Sequence, residues 1–140
     1  IGLLLHLAGG HGRAFFPFHQ FVGLLLVAIG SALVSYAAAL FAAGETTRNP
    51  YGEPATLVIG PPYTFTRNPM YVGLTAVLLG FATFFGSPTM LLAPIVFAVV
   101  IDRMVIPQEE GTMERIYGER YRDYKSRVQR WLPLPSFLRT

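Results

Sequence analysis

Two long stretches without a charged residue divide the chain, Ala14 to Gly44 and Asn68 to Ile101. Within the first, Phe18 to Phe41 supplies the roughly 20 apolar residues a helix needs to cross a hydrocarbon core of about 30 Å. The second is too long for one span and carries Gly86, Ser87 and Pro88 near its middle. That turn signal splits it into helices of about Pro69 to Phe85 and Pro88 to Ile106. Both begin at or beside a proline, whose missing N–H costs nothing in a first helical turn. A tight helical hairpin follows, because a backbone in lipid has to satisfy its own hydrogen bonds. On the first span, Gly23, Gly30, Ser31, Ala32 and Ser35 make one side small, which suits close helix contact.

The intervening segments are polar. Glu45 to Arg67 contains Asn49-Pro50, Glu53-Pro54 and Gly60-Pro61-Pro62 and reads as an ordered, irregular loop with an apolar patch at Ala55 to Ile59. From Glu109 to Trp131, Met113, Ile116, Tyr117, Tyr121, Tyr124 and Val128 recur at helical spacing. Arg115 with Glu119 and Asp123 with Arg127 are expected i,i+4 pairs on the outer face. Pro107 cannot donate to the carbonyl of Arg103, so a kink is expected there, tilting the next residues toward the Arg67 loop. Ile1 to Leu7 is apolar but too short to span and reads as the remainder of a trimmed helix.

The expected fold is all-α: a multi-pass transmembrane helical bundle of three full spans plus an N-terminal partial span, with a C-terminal amphipathic cytoplasmic helix. As a single domain it divides into a truncated span and loop (1–13), a span (14–44), a loop (45–68), the hairpin (69–106) and a helix with tail (107–140).

Composition strengthens the membrane reading. Of 140 residues, 52% are hydrophobic and 14% charged, more apolar surface than a small soluble domain can hide. The net charge is +3, but eight of the eleven Lys and Arg residues lie between Arg103 and Arg139. This is the distribution of a basic juxtamembrane segment rather than of a nucleic-acid-binding stripe. The same bias places the C-terminal segment and the Glu45 to Arg67 loop together on the cytoplasmic side. Without cysteine there is no thiolate metal site and no cysteine nucleophile. His6, His11 and His19 do not share a helical face with a carboxylate, so no metal is expected.

GPPYTFTRNPMYVG, and after the hairpin PQEEGTMERIYGERYRDYKSRVQRWLP, resembles the isoprenylcysteine carboxyl methyltransferase and phospholipid methyltransferase superfamily. The family pattern of Arg-His-Pro-x-Tyr-x-Gly falls on Arg67, Asn68, Pro69, Tyr71 and Gly73. Its Glu-Glu pair and closing motif fall on Glu109, Glu110, Tyr117, Gly118, Tyr121, Tyr124, Val128 and Pro133. The resemblance covers about Gly60 to Pro133, and its specificity lies in the ordered combination. It implies an integral membrane enzyme that uses S-adenosylmethionine, releases S-adenosylhomocysteine, and acts on a lipophilic or lipidated acceptor reaching it sideways from membrane lipids between the first span and the hairpin. Cofactor-binding residues implied by the match are Tyr63, Arg67, Asn68, Pro69, Met70, Tyr71, Glu109, Glu110, Tyr121 and Tyr124. Of these, Arg67, Asn68, Glu109 and Glu110 are the catalytic candidates. Asn68 replaces the usual histidine and cannot titrate near neutral pH.

The residues themselves support a small charged ligand. Arg67 offers a planar fork of donors for a carboxylate, and equally fits a headgroup anchor. Glu109 and Glu110 point about 100° apart on a helix, so they cannot both face one ligand. One is expected to accept from the ligand while the other pairs with Arg67 or Arg103, and a solvated acidic cap has the same spacing. Asp102 and Arg103, at the membrane boundary, could pair with one another. Tyrosine rings could flank adenine or a sulfonium, or form an interfacial belt. A sterol-type membrane reductase using NADPH is the rival enzyme, but Met70 and Leu74 depart from its pattern. A noncatalytic membrane protein is the remaining alternative, and no residue pattern selects an oligomeric state.

Overall fold

The computed structural model describes residues 17–46 and 57–133, and all regular structure among them is helical. The expected partial span at the amino terminus lies outside the described residues. Helix α1 covers Phe18–Thr46 and α2 covers Pro69–Phe85. A 3₁₀ turn, Pro88–Leu91, leads into α3 (Leu92–Val100), a π-helical turn (Ile101–Val105) and α4 (Ile106–Tyr117); α5 is Glu119–Arg127.

Local chemistry sets the ends of α2. Pro69 occupies its first turn, and Gly86 closes it in the left-handed region (φ 60°). The Gly86 N–H then reaches Thr83 O at 3.1 Å and the Ser87 N–H reaches Ala82 O at 3.3 Å. Those two bonds satisfy carbonyls that the helix end would leave unpaired. The turn signal at Gly86 to Pro88 thus produces the expected reversal.

The second arm of the hairpin does not stop at Ile106. Pro88–Tyr117 is continuous enough to count as one long apolar helix, and with Phe18–Gly44 it is long and apolar enough to cross a membrane. Only 11% of the most apolar window of each is buried, unlike the sheltered helix of a soluble core. Pro69–Phe85 is the shorter apolar helix, about 26 Å long at 1.5 Å per residue. At Pro107, a turn of π-helix stands over the residues whose carbonyls the proline leaves without a donor.

Packing of α1 on α2 depends on four glycines. A Cβ placed on Gly23 would lie 2.6 Å from Gly80 O, and one on Gly80 would lie 2.7 Å from Gly23 O. Gly30 and Gly73 oppose each other in the same way, at 2.6 and 2.7 Å. The two backbones therefore touch along an antiparallel seam with one contact per heptad, closer than any side chain allows. Dispersion between such surfaces is the main attraction available where lipid removes the hydrophobic driving force. Ser31, Ala32 and Ser35, also expected on the small side, are exposed, while Ala37 continues the seam and is fully buried. Large apolar side chains such as Phe21, Leu24, Ile95 and Val99 face outward.

The amphipathic C-terminal run is two helices rather than one. Gly118 has φ 59° and ψ −127°, a conformation open to glycine, and the chain changes direction there. The expected Arg115–Glu119 pair is consequently absent: Arg115 donates to Thr112 Oγ1 at 3.1 Å and Glu119 pairs with Arg122. Asp123 and Arg127, both on α5, do pair at 3.0 Å. The largest buried cluster, Ala37, Leu57, Tyr63, Tyr121 and Tyr124, sits where the end of α1, the loop before α2 and α5 meet.

The seam generates a stability prediction. Gly30→Ala should lower stability in detergent by about 1–3 kcal/mol through overpacking, because the obstructing atoms are backbone. Gly111→Ala, which meets nothing within 4 Å, should raise it by up to about 1 kcal/mol through helix propensity. Thermal unfolding of both variants checks this, and a Gly30→Ala protein as stable as the parent would remove the seam from the account.

Candidate functional site

Arg67 and Asn68 end the loop before α2, and the C-terminal segment fastens them in place. The Arg67 backbone N–H donates to Gln129 O at 2.8 Å. Buried Thr66 donates through Oγ1 to Arg130 O at 3.0 Å, and the Asn68 side-chain amide donates to the same oxygen at 3.0 Å. The Asn68 N–H in turn donates to Thr66 Oγ1 at 3.1 Å. Asn68 therefore works here as a strut between the loop and the tail. Pro69, behind it, is among the most fully buried side chains.

The arginine side chain crosses to α4. Arg67 Nη1 donates to Glu110 Oε1 at 2.7 Å, with the two side chains 11% and 13% exposed, so this pair is largely withdrawn from water. Glu110 also accepts from Arg130, Nε to Oε1 at 3.1 Å and Nη2 to Oε2 at 3.0 Å. Arg130 Nη1 reaches Asp102 Oδ1 at 3.0 Å, and Trp131 Nε1 donates to that same oxygen at 2.9 Å. Arg103 lies 3.6 Å from Asp102 but is mostly exposed, so the expected Asp102–Arg103 pair is the lesser contact. The Arg130 guanidinium is held above its usual range, chiefly by the hydrogen bond to Glu110 and further by Asp102.

Glu109 points elsewhere, as adjacent helical positions must. It is exposed and accepts a 2.7 Å hydrogen bond from the Tyr71 hydroxyl on α2. The two glutamates thus divide: Glu110 belongs to the arginines and Glu109 to the tyrosine.

Three buried tyrosines frame the other side. Tyr124 Oη donates to Tyr63 O at 2.7 Å, Tyr63 Oη donates to Ala37 O at 3.3 Å, and the Tyr121 and Tyr124 rings lie 6.0 Å apart at a 54° tilt. Burial raises the pKa of all three phenols, for Tyr121 against an opposing effect from neighbouring Arg67. They are neutral hydroxyls throughout the physiological range, and those of Tyr63 and Tyr124 are committed to the backbone.

Between these walls lies a cavity of about 540 Å³. Tyr63, Arg67, Asn68, Pro69, Met70 and Tyr71 line it from the loop and α2; Glu109 and Glu110 line it from α4, and Tyr121 and Tyr124 from α5. All the sequence-selected positions therefore converge on one space of the size that small-molecule sites occupy. Phe41 and Gly44 from the end of α1 and Met113 and Ile116 from α4 add an apolar side. Arg67 Nε is buried and has no hydrogen-bond partner, an unusual state for a cationic donor in a cavity wall. Arg130 and Trp131 were not selected from the sequence. They fall on unnamed positions of the Val128 to Pro133 motif, and the one available signal was a cation next to an indole directly after a helix end. Among the described residues no group of three or more His, Cys, Asp or Glu could hold a metal ion.

Comparison with known proteins shows the family. Residues 18–120 match the family model described as phospholipid methyltransferase. The mouse protein-S-isoprenylcysteine O-methyltransferase is 34% identical over 121 residues, 79% of this chain and 40% of the mouse protein. Methanethiol S-methyltransferase 1 of Bradyrhizobium diazoefficiens is 28% identical over 124 residues, 81% of this chain and 40% of that protein. An uncharacterized protein of Haemophilus influenzae is 38% identical over 63 residues, its whole length. The chain thus spans about 40% of the length of the mouse and Bradyrhizobium proteins, and no solved structure matches it. Site geometry, helical architecture and the family match converge: the chain belongs to the phospholipid methyltransferase family.

Proposed function

We propose that this chain carries the catalytic site of a multi-pass membrane methyltransferase. Its methyl donor would be S-adenosylmethionine and its acceptor lipophilic: first an isoprenylcysteine-type carboxylate, otherwise a phospholipid amine or a thiol. The observation that carries the reading is the 540 Å³ cavity that Arg67, Asn68, Glu109, Glu110, Tyr71 and Tyr121 line together, with the Nε of Arg67 buried and unpartnered behind it. A guanidinium with a donor to spare suits the carboxylate of an amino-acid moiety. Tyr71, Tyr117 and Tyr121 line the same cavity, and aromatic rings there suit a sulfonium or an adenine ring. The names of the mouse and Bradyrhizobium relatives support a carboxylate and a thiol, respectively, as acceptor classes.

Bound S-adenosylmethionine would supply an electrophilic methyl group on sulfur. The chain's part is to bind, align and exclude water, which is where a displacement with little proton chemistry gains most. Arg67 holds a carboxylate, Glu110 fixes Arg67, and Asn68 holds the loop to the tail. Glu109, hydrogen-bonded to Tyr71 but not engaged by an arginine, is the carboxylate left to take a proton from an amine or thiol acceptor. A carboxylate acceptor requires no such transfer.

The glycine contacts close the α1–α2 side, so an acceptor would reach the cavity between the apolar end of α1 at Phe41 and Gly44 and α4 at Met113 and Ile116. In this reading α1, α2 and the Pro88–Tyr117 helix span the bilayer. The basic C-terminal segment puts the site on the cytoplasmic side.

S-Adenosylhomocysteine at a hundredfold excess over its Kd should stabilise the protein in detergent by about 2.7 kcal/mol, read as a rise in Tm. No rise with S-adenosylhomocysteine and a clear rise with NADPH would replace the methyltransferase by the reductase. Glu110→Gln should lower stability by roughly 2 kcal/mol, since it leaves two arginines facing a neutral amide. Glu109→Gln should change stability by less than about 0.5 kcal/mol, as an exposed position does, while slowing methyl transfer to a thiol. Equal effects of the two substitutions on both readouts would contradict the division of labour.

A further inference from the structure

Beyond α5 the chain leaves the helix at Val128, which is extended (φ −117°, ψ 131°), and crosses the polar end of the bundle. Arg130 there joins three parts of the site's support: α4, the π-helical turn and the loop before α2. Nε and Nη2 grip the two oxygens of Glu110, Nη1 holds Asp102 in the π-helical turn, and the backbone oxygen takes Thr66 and Asn68 from the loop. Trp131 fixes Asp102 from the next position. The charges of Arg67, Arg130, Glu110 and Asp102 cancel within this set.

We infer that Arg130 is a positioning residue for the methyl donor: it orients Glu110 so that Arg67 is held through Nη1 and keeps donors for the ligand's carboxylate. The inference rests on the methyltransferase reading above and adds to it a residue outside the cavity wall. The two arginines compete for the oxygens of Glu110. A carboxylate has about four acceptor positions, and a fork from one guanidinium fixes its plane. With the Arg130 fork in place, Oε1 is shared and Oε2 is taken, so Arg67 meets one oxygen. Without it, Glu110 turns both oxygens to Arg67, and the resulting two-point pair consumes the donors a ligand would use. Lysine restores the charge of Arg130 but not its planar fork.

The test uses the full chain in detergent and two ligands, S-adenosylhomocysteine and 5′-methylthioadenosine, which keeps the adenosine and thioether but lacks the amino-acid group. Isothermal titration of Arg130→Lys should show affinity for S-adenosylhomocysteine reduced about tenfold, the equivalent of one charge-assisted hydrogen bond. Affinity for 5′-methylthioadenosine should stay within about twofold of the parent. A merely structural role would weaken both ligands alike, so equal losses overturn the inference, as does no loss for either. A parent protein that binds neither ligand would overturn the methyltransferase reading instead. Should Arg130→Lys fail to fold, Trp131→Phe decides: it removes the indole bond to Asp102 and slackens Arg130 without altering it. A loss confined to S-adenosylhomocysteine supports positioning, and an equal loss, or none, contradicts it.

Discussion

One carboxylate, that of Glu110, ties the polar end of this molecule together. It is nearly withdrawn from water and would be costly to bury alone, by several kcal/mol for an uncompensated ion. Arg67 from the loop before α2 and Arg130 from the tail after α5 meet that cost from opposite directions. Since each arginine also needs its counter-charge, loop, α4 and tail are interdependent. Asp102 extends the dependence to the π-helical turn. A pair with one oxygen and one nitrogen could be replaced by apolar side chains with little loss. A shared carboxylate that holds two guanidiniums, one through a single oxygen and the other through both, sets geometry as well as energy.

The glycine seam makes this arrangement possible. By letting the α1 and α2 backbones touch, it brings the end of α1 over the loop before α2, where Ala37 accepts from Tyr63 and Tyr63 accepts from Tyr124. The buried cluster formed there is small and made largely of tyrosines, two of which, Tyr63 and Tyr124, bond backbone oxygens through their hydroxyls. Such a cluster sits well at a boundary where the ring is sheltered and the oxygen remains bonded. Above it the helices present Phe, Leu, Ile and Val outward, and below it the charged tail closes over Glu110. The cavity lies between the two regimes and draws its apolar side from one and its ionic side from the other.

Much of this was legible in the residues. Uncharged length located the apolar helices, and Pro69, Gly86 and Pro88 placed the hairpin turn because proline and glycine impose backbone geometry regardless of context. The convergence of Arg67, Glu109 and Glu110 at one end followed from a hairpin that returns the chain to its starting level. What was not legible depended on helix phase and on the course of the tail. A π-helical turn adds one residue to a turn, which rotates everything after it by about 100° and decides which of two adjacent glutamates meets Arg67. Gly118 sits inside an otherwise regular periodicity, and only its positive φ shows that the run is two helices. Arg130 and Trp131 gain their partners because Val128 is extended, a property no local pattern announced. Asn68 reads in the sequence as a cofactor-binding and catalytic candidate; in the fold it lines the cavity, and its amide joins loop to tail, a partner that the motif alone does not announce.

Arg67 and Glu110 act as one unit on which the polar end of the molecule depends. A double-mutant cycle on unfolding stability in detergent, with Arg67→Gln, Glu110→Gln and the double substitution, measures this directly. The account predicts a coupling energy of at least about 1 kcal/mol, with the double variant less damaged than the sum of the single ones. Additivity to within about 0.3 kcal/mol would contradict it and reduce the contact between loop and helix to proximity.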